Sequence, residues 1–406
     1  MLYRRERWLL GDGTTVVAAL PSGITSHFGP ELKRFVLARY HQGQTTIPRL
    51  LALLGDLGVS LSKRQLVRLL SERQEPFLDE AREDLRTGLD AASWITVDDT
   101  GARRKAKHGF TTPIGNASFA SFITTGSRSR LNVLEPLKAG DTTHPVNDAA
   151  PACRRERNLS GQVIGLLADP ATGRLADRAA WTAHPDALGI AALDVHPDPV
   201  RIATEGALWG SIAAQGLPGN TVIVSDGAGR FDIGLPAACR VHPERPVPKL
   251  DAFSEDRRIA RETIRDRIWK LDADLKDYAC APASAAKAEL ASRFDAIFTT
   301  RTGLVTLDRL LKRRHAHKAD RLMGLDRPDV PLHTNGSERD IRTQVTRRKI
   351  SGGTRSETGR DCRDAVPGLM KTCAKQAISF RDDLGARLGG PGAPPVPRLP
   401  ALIRTG

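Results

Sequence analysis

The spacing of apolar residues near the N-terminus predicts two short helices joined by a turn. Residues 1–30 lack a helical pattern and form a lead-in segment. A leucine-rich helix follows, Gly58 interrupts the pattern, and Ser60 or Ser62 can cap a second apolar helix. We therefore expect a helix-turn-helix over residues 31–75.

The second helix of this pair carries basic residues on the faces that its leucines leave free. These residues are Lys63, Arg64 and Arg68. Long donors on a rigid helix can reach phosphates and base edges in the major groove of DNA. A small helical hairpin with a solvated basic face has the same pattern, so the residues alone leave both interpretations open.

Apolar strands in the middle of the chain predict an α/β domain. Ser93–Val97 and Thr221–Val224 have the composition of buried strands. Gly109–Ile114 and Ser118–Thr124 are rich in β-branched and aromatic residues, which also favours strands. These elements assign residues 90–250 to the first part of a core domain.

The C-terminal half is expected to interrupt and then complete this domain. Residues 251–325 are helical and charged, which predicts an insertion, and residues 326–388 supply the final part of the core. Residues 389–406 are rich in proline and glycine without a core pattern, so we expect a disordered tail.

The charge balance indicates a polyanionic partner. Among 406 residues, 61 Lys and Arg stand against 47 Asp and Glu, a formal net charge of +14. No apolar run approaches the roughly 20 residues of a membrane span, and the start does not look like a signal peptide. Five scattered cysteines without a Cys-x-x-Cys pair fit a reducing compartment. We expect a cytoplasmic protein that binds DNA and no membrane.

Three carboxylates are candidates for a metal site. Asp98 and Asp226 each follow a predicted strand, and Glu338 lies at the start of a late helix. Carboxylates at the carboxyl ends of neighbouring strands point into the crevice where open α/β sheets bind ligands. Oxygen ligands of this kind suit Mg²⁺ or Mn²⁺, and two such ions can support phosphodiester chemistry. Each residue alone also fits an ordinary turn or helix cap.

Three sequence blocks resemble those of the insertion-sequence-66-type DDE transposases. They are residues 94–102 (WITVDDTGA), 223–231 (IVSDGAGRF) and 333–342 (HTNGSERDIR). The resemblance runs from about Phe28 to Leu388, and residues 347–353 (RRKISGG) are similar to the basic strand that follows the family's glutamate.

The resemblance implies a fold and an activity. The fold class is α/β, with an RNase H-like core of a mixed sheet and flanking helices, interrupted by a helical insertion and preceded by a helical DNA-binding region. The activity is metal-dependent cleavage and strand transfer at the ends of a mobile DNA element, with the protein acting as a homo-oligomer when it pairs two ends. Asp98, Asp226 and Glu338 would be the catalytic carboxylates holding two Mg²⁺ or Mn²⁺ ions. Asp98 is preferred over Asp99 because it matches the first acid of the family's block.

Further residues are expected near this site. The basic residues after Glu338 would position DNA phosphates, although a solvated face would have the same composition; they are Arg339, Arg342, Arg347, Arg348 and Lys349. Cys239 and His242 match a Cys-x-x-His element of the family. No second ligand pair is evident, so a structural turn is expected rather than zinc.

Two other functions compete with transposition. An RNase H-like nuclease would cut without joining, and a decayed or non-catalytic protein would bind DNA through the helix-turn-helix while the acids only cap structural elements.

Overall fold

The computed structural model describes most of the chain, namely residues 5–20, 27–168, 173–214, 219–240, 242 and 244–405. The protein is a mixed α/β structure in which helices flank a mixed sheet. The chain forms two compact units. The first comprises Met1–Glu72 and Ile378–Pro397, and the second comprises Arg73–Ala377 and Arg398–Gly406.

The strands of the described residues are short. In chain order they are β1 (Arg7–Leu9), β2 (Thr15–Val17), β3 (Trp94–Val97), β4 (Thr100–Arg104), β5 (Lys107–Gly115), β6 (Ala120–Thr125), β7 (His144–Pro145), β8 (Arg174–Leu175), β9 (Val222–Ser225) and β10 (Leu235–Ala238).

Helices make up most of the regular structure. In chain order the α-helices are α1 (Pro30–Leu37), α2 (Ile47–Asp56), α3 (Lys63–Ser71), α4 (Glu75–Ala91), α5 (Leu131–Leu137), α6 (Ala149–Glu156), α7 (Gly161–Leu167), α8 (Arg178–Ala187), α9 (Pro199–Ala214), α10 (Glu255–Cys280), α11 (Ser284–Phe298), α12 (Val305–His315), α13 (Lys318–Asp326), α14 (Asn335–Ser351), α15 (Glu357–Lys375), α16 (Phe380–Leu388) and α17 (Leu399–Ile403). None of these described helices combines the length and apolarity needed to cross a bilayer.

The first unit contains the predicted helix pair. α2 packs against α3, and Leu54 and Leu66 are buried. Gly58 between them has a φ of +75°, which a residue with a Cβ rarely adopts. Ser62 caps α3, since its hydroxyl accepts from the Gln65 backbone N–H while the Gln65 side chain accepts from the Ser62 N–H. Of the lead-in, residues 1–4 and 21–26 lie outside the described part of the chain.

The second unit is built on a six-stranded mixed sheet. β10, β9 and β3 are parallel neighbours, β5 runs antiparallel to β3, and β6 pairs with the other side of β5. β4 continues along β5 where β3 stops, so that only Asp98 and Asp99 separate the two strands. The first of the predicted acids therefore interrupts a strand in the middle of the sheet.

Several hydrophobic clusters of the described residues support the second unit. The main cluster of the sheet joins it to its flanking helices and includes Ile95, Ile114, Phe119 and Ile223. A separate cluster lies within α10–α13, which are the helices of the predicted insertion. Each part therefore has its own buried apolar side chains.

Two expectations from the sequence are wrong. Residues 389–406 are not a disordered tail throughout, because α17 packs against α4, Leu399 is 0% exposed, and Leu399 donates its N–H to Glu80. Residues 347–353 do not form a basic strand, since α14 continues to Ser351. For α17, packing against α4, which is distant in sequence, decides the structure, and local composition does not indicate it.

We predict that Ile403→Ala destabilises the second unit by roughly 2–5 kcal/mol, because Ile403 is buried in the main cluster and its truncation leaves a cavity. Urea unfolding followed by circular dichroism measures the change. Arg404→Ala, at the exposed next position, is the control and should change the free energy of unfolding by about 0.5 kcal/mol or less. Equal small effects for both variants would contradict the packed position of α17.

Candidate active site

Asp98 and Asp226 lie side by side at the carboxyl ends of two parallel strands. β3 and β9 pair with Thr96 opposite Val224, and two residues further the same register places Asp98 opposite Asp226. Neighbouring strands are about 4.8 Å apart. Burial raises the pKa of the Asp98 carboxyl, and the nearby Asp226 and Asp99 carboxylates raise it further. The structure thus places two like charges next to each other in a half-buried site.

Local turns fix both aspartates. Asp98 Oδ1 accepts from the Asp99 N–H at 2.7 Å, and Asp226 Oδ1 accepts from the Ala228 N–H at 2.8 Å. Gly227, between Asp226 and Ala228, has a φ of +81°. Each aspartate uses one carboxylate oxygen to stabilise its turn. The second oxygen does not take part in the turn, so a role in the turn is compatible with a functional role.

Asp99 is engaged by two arginines. Its side chain is 4% exposed, with Arg128 Nε at 2.8 Å from one oxygen and Arg230 Nε at 2.7 Å from the other. Arg230 Nη2 also lies 3.7 Å from Asp226 Oδ2. Asp99 therefore orients two guanidinium groups beside the site, and this arrangement favours Asp98 as the carboxylate available to a ligand.

Glu338 lies in the first turn of α14, which packs against β3, β4 and β5. Its Oε1 accepts from Arg245 Nη2 at 3.1 Å and lies 3.9 Å from His242 Nε2. His242 interacts electrostatically with Asp98 and Asp226 as well, so it is a shared neighbour of all three acids. Within the described part of the chain, no three His, Cys, Asp or Glu side chains converge closely enough to hold a metal ion as they stand.

Cys239 lies behind this site and is buried. Burial alone would raise the pKa of its thiol, but polar contacts with His242 and Thr334 outweigh burial and lower that pKa to about 7. Among the described residues, no third His, Cys, Asp or Glu side chain joins Cys239 and His242. Their assignment to a structural turn rather than zinc stays a prediction. The sequence did not indicate that His242 would lie among the three carboxylates.

The basic residues predicted on α14 have different environments. Arg339, Arg342 and Lys349 are exposed, and Arg348 is half-buried beside Gly101 of β4. Arg347 is 4% exposed and its Nη1 lies 3.4 Å from the Ser351 hydroxyl, so its assignment to a phosphate-binding surface is wrong. The helical period decides this, because every third or fourth residue of α14 faces the protein interior.

On α3, the three predicted DNA-binding residues are all exposed. Lys63, Arg64 and Arg68 line an open groove on one side of the helix. Arg68 Nε lies 3.2 Å from Glu72 Oε1. This ion pair is exposed and therefore weak, so Glu72 would compete only weakly with another anion for Arg68.

Three arginines near the acids were missed by sequence reasoning. Arg230 follows Asp226 by four residues and could have been noted in the second block. Arg128 and Arg245 carry no local signal, since a loop and a turn distant in sequence bring them to Asp99 and Glu338.

Of the three predicted metal ligands, only the two aspartates are placed to bind a hard divalent cation together. Asp98 and Asp226 provide adjacent carboxylate oxygens whose mutual repulsion such an ion would relieve. Glu338 would join them only after releasing Arg245. The two aspartates fit the ion, whereas Glu338 is paired with Arg245 in this structure.

Comparison with known proteins gives one informative match. No protein-family model matches the chain, and no solved structure matches it. The chain is 42% identical over 319 residues to the uncharacterized protein y4jO of Sinorhizobium fredii, which covers 79% of this chain and 98% of that protein. The chain belongs to the same family as y4jO. The name of y4jO states no activity, so family membership does not assign the site a reaction.

We predict opposite stability changes for the two adjacent aspartates in metal-free buffer at pH 7. Because the folded-state pKa of Asp98 is raised, ionisation of Asp98 destabilises the fold as pH rises through that pKa, and Asp98→Asn should raise Tm. Asp99→Asn removes the charge from a buried carboxylate that forms ion pairs with Arg128 and Arg230, and it should lower Tm. Thermal unfolding with a chelator present measures both. Changes of the same sign would show that the two carboxylates are not in different environments.

Proposed function

We propose that this protein is a DDE transposase that cleaves DNA at the ends of a mobile element and joins those ends to target DNA. The observation that carries the proposal is the parallel register of β3 and β9, which makes Asp98 and Asp226 neighbours at one end of the sheet. The resemblance of the three sequence blocks supplies the reaction class, and Glu338 supplies the third acid at the start of α14.

The sheet supports an RNase H-like core as the finer description of the fold. An antiparallel group (β3 with β4, β5 and β6) continues into two parallel strands, β9 and β10. The α10–α13 block falls between the second aspartate and the glutamate, where the resemblance implies an insertion.

Two Mg²⁺ or Mn²⁺ ions are part of the proposal. Asp98 and Asp226 would hold them, with Glu338 completing the site. When bound, such ions supply Lewis-acid stabilisation of a phosphodiester. The chain's own contribution is to orient cations around that position: Asp99 fixes Arg128 and Arg230, and Arg245 lies against Glu338. Guanidinium groups held in this way are suited to contact phosphate oxygens.

DNA binding would use basic residues in both units. On α3 they are Lys63, Arg64 and Arg68, and on α14 the accessible ones are Arg339, Arg342, Arg348 and Lys349. Pairing of two element ends would require a homo-oligomer. We further propose that the protein acts in the cytoplasm.

We predict that Asp98→Asn, Asp226→Asn and Glu338→Gln each reduce Mg²⁺-dependent cleavage of end-containing DNA by about 100-fold or more, because amide groups keep the volume but lose the charge that holds a cation. Labelled DNA ends measure cleavage and strand transfer separately, and DNA affinity should stay within a few-fold. Asp266→Asn, on the exposed face of α10, is the control and should retain activity.

The outcomes separate the competing functions. Cleavage without strand transfer would assign the protein to the nucleases, and DNA binding without any cleavage would assign it to the non-catalytic proteins. Wild-type cleavage in any acid variant would exclude that residue from the site.

We predict that Arg64→Ala combined with Arg68→Ala weakens binding to element ends and lowers the slope of log affinity against log salt by roughly 0.9 for each lost phosphate contact. The matched control is Arg82→Ala with Arg86→Ala, two exposed arginines at the same spacing on α4. Fluorescence anisotropy over a range of salt concentrations measures both pairs. If the two pairs change the slope equally, α3 is not the recognition helix.

A further inference from the structure

A small cavity lies where β10 meets the helical insertion. Its volume is about 20 Å³, and it is lined by Arg240, Ile268, Leu271, Asp272, Phe294, Phe298 and Arg321. Arg240 follows β10, Asp272 belongs to α10, and Arg321 belongs to α13. Three charged side chains therefore meet apolar and aromatic ones in the interior of the second unit.

Positive charge exceeds negative charge around this cavity. Asp272 is the carboxylate that lines it, at 3.8 Å from Arg240 Nε, and its other oxygen lies 2.6 Å from Lys276 Nζ. Among the residues that line the cavity, one carboxylate therefore faces two arginines, Arg240 and Arg321, while Asp320 acts on Arg321 from outside the cavity. Buried charge without compensation is strongly unfavourable, so the interior requires additional negative charge.

Arg321 forms no direct ion pair with a carboxylate among the described residues, although Asp320 and Cys239 act on it electrostatically. It is 5% exposed, and its Nε and Nη1 have no hydrogen-bond partner within the described part of the chain. Burial, together with Arg314 and Arg240, lowers the pKa of Arg321 to about 9, so the guanidinium remains protonated at pH 7. The Nε and Nη1 nitrogens of the buried Arg321 side chain are therefore available to donate to an acceptor in the cavity.

We propose that this cavity is a binding site for a small monovalent anion, with chloride as the ion that fits it, held by Arg321 and Arg240. One water-sized particle requires about 10–15 Å³ of such volume, so the cavity has room for about one small ion. Bound chloride would balance the excess charge and satisfy the free donors of Arg321. The site would stabilise the contact of the insertion with β10, and it does not depend on the proposed DNA chemistry.

Cys239 offers a competing source of negative charge. Its thiol has a pKa lowered to about 7 and interacts electrostatically with Arg240 and Arg321. If the thiolate already balanced the two arginines, the cavity would hold only water. A Cys239→Ser variant distinguishes the two arrangements.

The test is thermal unfolding of the full-length protein at constant ionic strength, with sodium gluconate replaced stepwise by sodium chloride. For wild type we expect Tm to rise by about 2–4 °C and to follow a saturation curve, because an ion that binds only the folded state stabilises it. Arg321→Met should abolish the rise, whereas Arg313→Met, on the exposed face of α12, should retain it. Bromide-soaked wild-type crystals should show an anomalous peak between Arg240 and Arg321, and this measurement remains if Arg321→Met does not fold.

Three results would overturn the proposal. The first is an equal chloride response in Arg321→Met and Arg313→Met, which would indicate a general salt effect. The second is a crystal without bromide in the cavity. The third is a chloride response that is absent in wild type and arises only in Cys239→Ser, which would identify the thiolate as the counter-charge.

Discussion

The pairing of β3 with β9 is the contact on which the candidate site depends. A parallel register with Thr96 opposite Val224 places Asp98 and Asp226 at equivalent heights. A slip of one residue would turn one of the two side chains to the other face of the sheet. Both faces of the pair are buried, since Ile95 and Ile223 lie in the main hydrophobic cluster while Val222 and Val224 belong to another cluster. The spacing of the paired strands thus sets the distance between the two carboxylates.

Arginine side chains offset part of the negative charge around this pair of aspartates. Asp99 is neutralised by Arg128 and Arg230, while Asp98 keeps a raised pKa because burial and Asp226 oppose its ionisation. Adjacent residues in one turn therefore have opposite electrostatic roles. Asp99 holds the guanidinium groups of Arg128 and Arg230 in place, and Asp98 remains available to a positively charged ligand.

Sequence reasoning could locate the aspartates because strand ends and turn residues are local features. The same reasoning limited the cap of α3 to Ser60 or Ser62, and the structure has Ser62 in that position, since capping depends on neighbours three residues apart. It failed for Arg347 and for α17, whose burial depends on packing against elements distant in sequence. Arg245 was missed for the same reason, because its contact with Glu338 spans 93 residues.

Glu338 shows how the site could change state at little cost. Its ion pair with Arg245 is partly exposed, with 51% of the arginine side chain and 34% of the glutamate side chain accessible, and such pairs contribute about 0–1 kcal/mol. Under the proposed function, a divalent cation held by the two adjacent aspartates would relieve their mutual repulsion. Exchange of Arg245 for a cation shared with Asp98 and Asp226 would therefore be favoured by charge. It would also release the Arg245 guanidinium, at the edge of the same site, to contact a phosphate.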